Sequence, residues 1–289
     1  MPTASWTLTG SDGHPILGTT HQPPGDPAGV ILLCHGFKGY KDYGFFPKLA
    51  QTASESGLVA HRFNFSHSGM TNNTDTFERP DLFEKDTWGK QIFDLQKVTE
   101  AVRAGTLPGG GRTLPMTWFG HSRGGVTVLL AASKVAPSDR IHRVIAAAAP
   151  HSACFLDQGA RQQLRSDGFL ESPSSRTGQR LRIGQAWLKE YEADPSAFDP
   201  LQAIRAIASR ILLIHGEADE TVACDASQKL ANATSGRAQL KRVPGASHTF
   251  NAPNPMSQAN PTPKATKILI DTVVDFATSN GPHVDNEAE

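Results

Sequence analysis

The sequence has few cysteines and no excess of charge of either sign. Its three cysteines, Cys34, Cys154 and Cys224, are odd in number and widely spaced, which favours reduced thiols over a disulfide framework. Lys plus Arg number 28 and Asp plus Glu number 28, so the formal net charge is zero. This balance lacks the basic surface that nucleic acid or an anionic membrane would attract. We therefore expect no nucleic-acid partner.

Long apolar runs are also missing. No stretch of the 289 residues approaches the length of a membrane-spanning helix, and residues 1–6 have neither the basic start nor the apolar core of a signal peptide. These features predict a cytoplasmic protein. The length is sufficient for one α/β domain, 1–289, with a polar, acidic and disordered tail at 280–289.

A Gly-x-Ser-x-Gly motif is formed by Gly120, Ser122 and Gly124. Residues 116–119 before it are apolar and β-prone, and residues 126–132 after it could begin a buried helix. A serine between a strand and a helix is typical of a nucleophile elbow, whose sharp turn exposes the hydroxyl at the end of the sheet. Glycine two residues away on either side prevents collision with the neighbouring elements. The pattern predicts Ser122 as a nucleophile.

Apolar strands alternate with amphipathic helices along the chain, which predicts a mostly parallel sheet with helices on both faces. The predicted strands are Trp6–Thr9, Ile16–Thr19, Gly29–Cys34, Leu58–Phe65, Met116–Phe119, Ile141–Ala149, Ser209–His215 and Ala238–Val243. The predicted helices include Phe46–Ser56, Asp86–Ala104, a segment around Arg182–Tyr191, Ala223–Ala233 and Thr262–Thr278. We expect Asp86 to cap its helix and residues 66–85 to form a surface loop.

Two loops after predicted strands supply an acid and a base for the serine. Asp219 follows the strand that ends at His215, and His248 follows the last strand. The order serine, acid, histidine is the one that the elbow fold uses. Glu217 and Glu220 are close competitors of Asp219 as the acid, and Asp157 is a more distant one.

The oxyanion that forms on attack needs preorganised N–H donors. The amide of Arg123, directly after the serine, is one candidate, and the amide of Phe37, in the loop after the first central strand, is the other. We expect His35 to organise that loop through hydrogen bonds and His121 to lie outside the proton path. No pair of histidines has zinc spacing, so we expect no metal and no cofactor.

Four motifs occur in order along the chain: His35-Gly36-Phe37, Gly120–Gly125, His215–Asp219 and Gly245–His248. On these motifs the chain resembles the α/β-hydrolases, and within them it is similar to the carboxylesterases of the cinnamoyl (feruloyl) esterase and dienelactone hydrolase-like group. The resemblance implies Ser122 as nucleophile, Asp219 as acid, His248 as base, and Phe37 and Arg123 as oxyanion donors. It also implies that residues 151–205 form a small cap.

Arg123 departs from the resemblance, because many relatives carry Met or Leu there. Its guanidinium could pair with a nearby carboxylate or favour an acidic substrate. The aromatic residues of the expected cap could line a pocket or only pack the cap onto the sheet.

These observations predict a serine esterase that acts on a small-molecule ester, with an aromatic or short-to-medium acyl group, through an acyl-enzyme. A thioesterase, a lactonase, an acyl-peptide hydrolase, and a lyase or peroxidase on the same triad remain open, because fold and triad do not choose the leaving group. A non-catalytic binding protein is a more distant alternative. A homodimer is also left open.

Overall fold

An eight-stranded sheet forms the centre of the computed structural model, which describes residues 2–136, 139, 141–256 and 261–279. The tail predicted at 280–289 lies outside these residues. The strands in this part of the chain are β1 (Thr3–Thr9), β2 (Pro15–His21), β3 (Gly29–Cys34), β4 (Leu58–Asn64), β5 (Met116–His121), β6 (Arg143–Ala147), β7 (Phe169–Pro173), β8 (Arg180–Gly184), β9 (Arg210–Gly216) and β10 (Ala238–Val243).

The strand order in the large sheet is β1-β2-β4-β3-β5-β6-β9-β10. Strand β2 runs antiparallel to both β1 and β4, and every other neighbouring pair is parallel. The carboxyl ends of the parallel strands therefore meet at one edge, where ligands bind in open α/β sheets. The predicted fold class, a mostly parallel sheet with helices around it, is confirmed.

Helices cover both faces of the sheet. They are α1 (Phe46–Glu55), α2 (Pro80–Glu84), α3 (Trp88–Arg103), α4 (Arg123–Ala132), α5 (Gln158–Asp167), α6 (Gln185–Ala193), α7 (Pro200–Ala206), α8 (Asp225–Ala233) and α9 (Lys264–Thr278). Strand β3 shows why both faces need cover: Val30 and Leu32 pack in the core under α3 and α4, and Ile31 and Leu33 pack in the core under α1 and α9. A strand buried on both faces is continuously apolar.

The start of α3 differs from the prediction. Thr87, and not Asp86, is the N-cap, and its hydroxyl accepts a hydrogen bond from the amide of Lys90 at 3.3 Å. The Asp86 carboxylate is buried and faces the guanidinium of Arg123, 3.1 Å away. The prediction was wrong because local spacing does not reveal a partner 37 residues farther along the chain.

Residues 66–85 were predicted as a surface loop, and this was also wrong. Ser66 to Met70 are buried, and Phe77 and Phe83 are 1% and 6% exposed. Helix α2 lies in this segment and packs against β8. The polar, turn-rich composition of this segment is explained by its frequent bends. Its aromatic side chains, Phe77 and Phe83, are nevertheless buried in a small core.

The segment between β6 and β9 contains α5, a β7–β8 hairpin, α6, a short 3₁₀ turn at Pro195–Phe198, and α7. Helical spacing around Arg182–Tyr191 predicted the helix only in part, because Arg182 lies in β8 and α6 begins at Gln185. The hairpin was not predicted, since its strands lack a regular alternation of buried and exposed residues. A capping role for residues 151–205 stays a prediction.

The turn from β5 into α4 has no room for side chains beside Ser122. A Cβ atom on Gly120 would lie 2.1 Å from the carbonyl oxygen of Gly124, and one on Gly124 would lie 2.4 Å from that of Cys34. Both distances are far inside van der Waals contact with backbone atoms. Ser122 itself has φ 54° and ψ −118°, a conformation that is strained for a residue with a side chain.

We expect Gly124→Ala to lower the free energy of unfolding by about 1–3 kcal/mol, because the added methyl group meets a backbone that packs tightly on both sides. Gly25→Ala is the matched control, since a Cβ atom there meets nothing within 4 Å. Urea denaturation followed by circular dichroism measures both. Equal stability of the two variants would contradict this reading of the turn.

Burial keeps five histidines uncharged in the folded protein. It lowers their pKa from the ordinary 6.5 to about 4 for His21, His35 and His67 and about 3 for His61 and His121. Two acids have the opposite effect on proton binding, because burial raises the pKa of Asp94 to about 6 and also raises that of Asp86. The histidines are more numerous, so the folded chain binds fewer protons than the unfolded chain below the ordinary histidine pKa.

The free energy of unfolding should therefore fall as the pH drops from about 7 to about 5, by up to roughly 1.4 kcal/mol per pH unit for each histidine. Urea titrations at several pH values measure the slope. His61→Gln should flatten this slope, and Asn72→Gln, an exposed substitution that changes no titratable group, should leave it unchanged. A stability that stays constant or rises on acidification would contradict the assignment.

Candidate active site

Ser122 stands at the carboxyl end of β5 as the N-cap residue of α4. Its amide donates to the carbonyl oxygen of Ala147 at 2.8 Å, and its carbonyl oxygen accepts from the amide of Val126 at 3.2 Å. The backbone is thus held by the adjacent strand and by the first turn of the helix. The hydroxyl is left half-buried beside the positive end of the helix dipole.

The loop after β3 packs directly against this turn. A Cβ atom on Gly36 would lie 3.1 Å from Cβ of Ser122, so glycine permits the close approach. Within the described chain, the amides of Phe37 and Arg123 donate to no protein acceptor. His35 holds the loop: its Nδ1–H donates to the carbonyl oxygen of Gly36 at 2.9 Å, and its Nε2 accepts from the amide of Phe65 at 3.3 Å.

His248 and Asp219 are joined by a hydrogen bond of 2.8 Å between Nδ1 and Oδ2. Because a carboxylate only accepts, Nδ1 carries the proton and Nε2 of a neutral ring has a free lone pair. The Asp219 side chain is fully buried, whereas that of His248 is 18% exposed. The other oxygen of Asp219, Oδ1, accepts from the amides of Thr221 and Val222 at 2.9 and 2.8 Å.

Asp219 stays ionised in spite of its burial. Burial by itself would raise the pKa of this carboxyl, but hydrogen bonds from His215, His248 and the amide of Val222 outweigh that effect and hold the pKa well below its usual range. The competing acids are placed differently. Glu217 and Glu220 are exposed, and Asp157 caps α5 through the amide of Ala160.

His215 is a second histidine on the same carboxylate, and the sequence analysis did not identify it. Its Nε2 lies 2.9 Å from the carbonyl oxygen of Val222 and 3.2 Å from Oδ2 of Asp219, and its side chain is fully buried. A carbonyl only accepts, so Nε2 carries the proton and points it at both oxygens. The sequence feature that could have indicated this role is the position of His215, at the end of β9 and four residues before Asp219.

His121 contacts His248, the predicted base, through the backbone of that residue. Its Nε2–H donates to the carbonyl oxygen of His248 at 2.8 Å, and the two ring centroids are 4.9 Å apart. Since burial lowers the pKa of His121 to about 3, this ring is neutral at physiological pH. It therefore positions the loop that carries His248.

Arg123 pairs with a carboxylate, which is the first of the two alternatives raised by the sequence. Both side chains of the Arg123–Asp86 pair are 9% exposed. Gln91 donates to Asp86 at 2.6 Å, and the guanidinium lies 4.7 Å from the ring of Trp88 and 5.8 Å from that of Phe37. The side chain of Arg123 thus reaches under the ring of Phe37, whose amide is the other candidate donor.

Ser122 and His248 line one cavity of about 160 Å³, together with Phe37. No hydrogen bond joins the Ser122 hydroxyl to the imidazole in this conformation of the described residues. Catalytic hydrogen bonds are often long or misaligned without substrate and tighten when it binds. The structure therefore brings the predicted acid and the predicted base into contact, and Ser122 lines the same cavity as His248.

None of the described helices is both long and apolar enough to cross a bilayer. Within the described ranges, no group of three or more His, Cys, Asp or Glu side chains is arranged to hold a metal ion.

Comparison with solved structures finds the same fold in enzymes of low sequence identity. Est1E from Butyrivibrio proteoclasticus, solved with ferulic acid bound, is 19% identical, with 92% of this chain and 95% of that chain covered and a TM-score of 0.67. A putative hydrolase from Agrobacterium vitis S4 is 15% identical, with 96% and 100% covered and a TM-score of 0.73. The esterase domain of a Rhodothermus marinus protein is 18% identical, with 96% and 98% covered and a TM-score of 0.64.

At these identities the structural neighbours show the fold alone. No curated protein is similar enough to this chain to count as a relative. A family model described as the alpha/beta hydrolase family matches residues 31–259, which include most of β3, the turn at Ser122 and the loops of Asp219 and His248. The chain belongs to the alpha/beta hydrolase family.

Proposed function

We propose that the protein is a serine hydrolase that cleaves carboxylic esters through an acyl-enzyme. Ser122 is the nucleophile, His248 the base and Asp219 the acid, and the amides of Phe37 and Arg123 form the oxyanion hole. The observation that carries this proposal is the 2.8 Å hydrogen bond from His248 to a buried, ionised Asp219 at a cavity that Ser122 also lines. A base held by a carboxylate beside a strained serine is the arrangement that nucleophilic acyl transfer requires.

In the first half-reaction, Nε2 of His248 takes the hydroxyl proton as Ser122 Oγ attacks the ester carbonyl. Asp219 stabilises the imidazolium that forms, and the two amides bind the oxyanion. When the ester C–O bond breaks, His248 gives the proton to the departing alcohol, which leaves an acyl group on Ser122. Water then attacks the acyl group, its proton passes through His248 to Oγ, and the carboxylic acid leaves.

Two exposed aromatic side chains at this edge support an apolar group on the substrate. Phe37 and Phe155 are 36% and 55% exposed, and their ring centroids are 6.4 Å apart. Behind Phe155 lies Trp187, which is buried and only packs the segment onto the sheet. Residues 151–205 thus supply both kinds of aromatic residue, which fits a cap. Est1E, with its bound ferulic acid, is a neighbour whose ligand is aromatic.

Fold and triad do not separate an ester from a thioester or a lactone, so the leaving group has to be established with substrates. The cytoplasmic location stays a prediction of the sequence, and a homodimer stays open.

Ser122→Ala should reduce the turnover of p-nitrophenyl acetate by about 10⁴-fold or more, because it removes the Oγ that carries the acyl group in the proposed acyl-enzyme. Ser133→Ala is the control, since its hydroxyl only bonds to the carbonyl oxygen of Leu130 at the far end of α4. A serine-directed phosphonate should label the wild type at Ser122 alone, which peptide mass spectrometry detects. Retained turnover in a folded Ser122→Ala would refute the proposal.

Asp219→Asn should lower kcat by roughly 10⁴-fold, because the amide cannot hold the imidazole in the required tautomer or stabilise its cation. Glu217→Gln, an exposed carboxylate two residues earlier, should change kcat by less than about twofold. Steady-state kinetics of the two purified variants makes the comparison. A larger loss in Glu217→Gln than in Asp219→Asn would show that the acid is assigned to the wrong residue.

A further inference from the structure

Two cationic residues line the cavity beside Ser122, and no carboxylate of the described residues lines it. Lys38 directly follows Phe37, and Arg176 lies in the turn between β7 and β8. Among the described residues that line the cavity, no Asp or Glu balances them. In a chain with zero formal net charge, this is a local excess of positive charge next to the proposed nucleophile.

Lys38 is held at the cavity by its backbone and by one hydrogen bond. Its φ of 57° lies in the left-handed region, which is unusual for a residue with a side chain. Its Nζ donates to the carbonyl oxygen of Pro173 at 2.7 Å, which spans the cavity wall from the β3 loop to the hairpin. An ammonium has three N–H donors, so two remain after this bond.

Arg176 is oriented by aromatic rings and by neutral acceptors. Its guanidinium lies 4.8 Å from the ring centroid of Tyr40 and 5.2 Å from that of Phe77. It donates to the carbonyl oxygen of Thr74 and, at 3.4 Å, to Sδ of Met70. These contacts fix the direction of the group without neutralising its charge.

Two carboxylates close in the chain to these contacts are engaged elsewhere, and Asp75, which follows Thr74, is exposed to solvent. Asp42 pairs with Lys41 and Arg62, and Glu78 accepts hydrogen bonds from Thr71 and Asn73.

The third cation near the nucleophile, Arg123, has its own buried partner in Asp86. The fold therefore neutralises the arginine beneath the site, whereas no ion pair joins Lys38 or Arg176 to a carboxylate of the described residues. A partly buried cation without a counter-ion loses hydration, and a bound anion compensates for that loss.

We propose that the cavity beside Ser122 binds a carboxylate of the substrate through Lys38 and Arg176, so that the ester cleaved by this protein is anionic. The inference depends on the proposed esterase function and names its substrate class. The aromatic rim adjoins this cavity, because Phe37 lines it and contacts Phe155, and it would take an apolar part of the same molecule. Charge-assisted hydrogen bonds to a carboxylate are stronger than neutral ones and would discriminate against an uncharged analogue.

The test compares two esters that differ in one charge, monoethyl glutarate and diethyl glutarate, at neutral pH and low salt. The wild type should show a kcat/KM for the monoester that is about tenfold or more above that for the diester. Arg176→Gln should reduce this ratio to near one, and Arg176→Lys, which keeps the charge, should retain most of it. Lys38→Gln should lower the ratio in the same direction, which provides a second variant if Arg176→Gln does not fold.

Arg182→Gln is the matched control, because Arg182 lies on the same hairpin with its guanidinium over the ring of Phe169 and outside the cavity. It should leave the ratio unchanged. Equal kcat/KM values for the two esters in the wild type would overturn the inference. So would an Arg176→Gln variant that lowers the kcat/KM of both esters by the same factor. The proposed function fails separately, if neither ester is hydrolysed in a way that depends on Ser122.

Discussion

The proposed site depends on one buried carboxylate that stays charged. Asp219 is cut off from solvent, which favours its neutral form, yet four donors converge on its two oxygens: the amides of Thr221 and Val222 and the rings of His215 and His248. The loop after β9 must adopt one shape for all four to reach it. That shape presents the imidazole of His248 with its free nitrogen away from the acid, and the rest of the proposed chemistry follows from this orientation.

The two candidate oxyanion donors are coupled through a side chain as well as through the backbone. Arg123 contributes its amide at the start of α4, and its guanidinium extends beneath the ring of Phe37 to reach Asp86. The pair is buried, so breaking it would leave an uncompensated charge. The elbow, the β3 loop and the start of α3 are thereby held as one unit, even though they come from three separate parts of the chain.

The sequence predicted the fold well, because the fold follows from local patterns, and two of the predicted site residues, Asp219 and His248, lie in contact. Continuous apolar strands indicate a sheet buried on both faces, and the polar residues after them collect at its carboxyl edge. Local patterns do not show which residues far apart in the chain come into contact. Asp86 and Arg123 come into contact only through tertiary packing. Asp219 is buried whereas Glu217 and Glu220 are exposed, and a loop without periodicity gives no sequence signal for this difference. The β7–β8 hairpin, which brings Arg176 to the cavity, has no regular alternation either.

The turn of that hairpin forms part of the cavity wall, although no strand of the large sheet passes through it. Its residues 174–179 belong to a two-stranded unit attached beside the scaffold. Insertions or exchanges there would reshape the recognition surface while the scaffold keeps its geometry. Changes in this turn could thus alter the proposed substrate preference without disturbing the residues of the proposed catalytic site. The same turn is therefore a suitable place for engineered changes of selectivity.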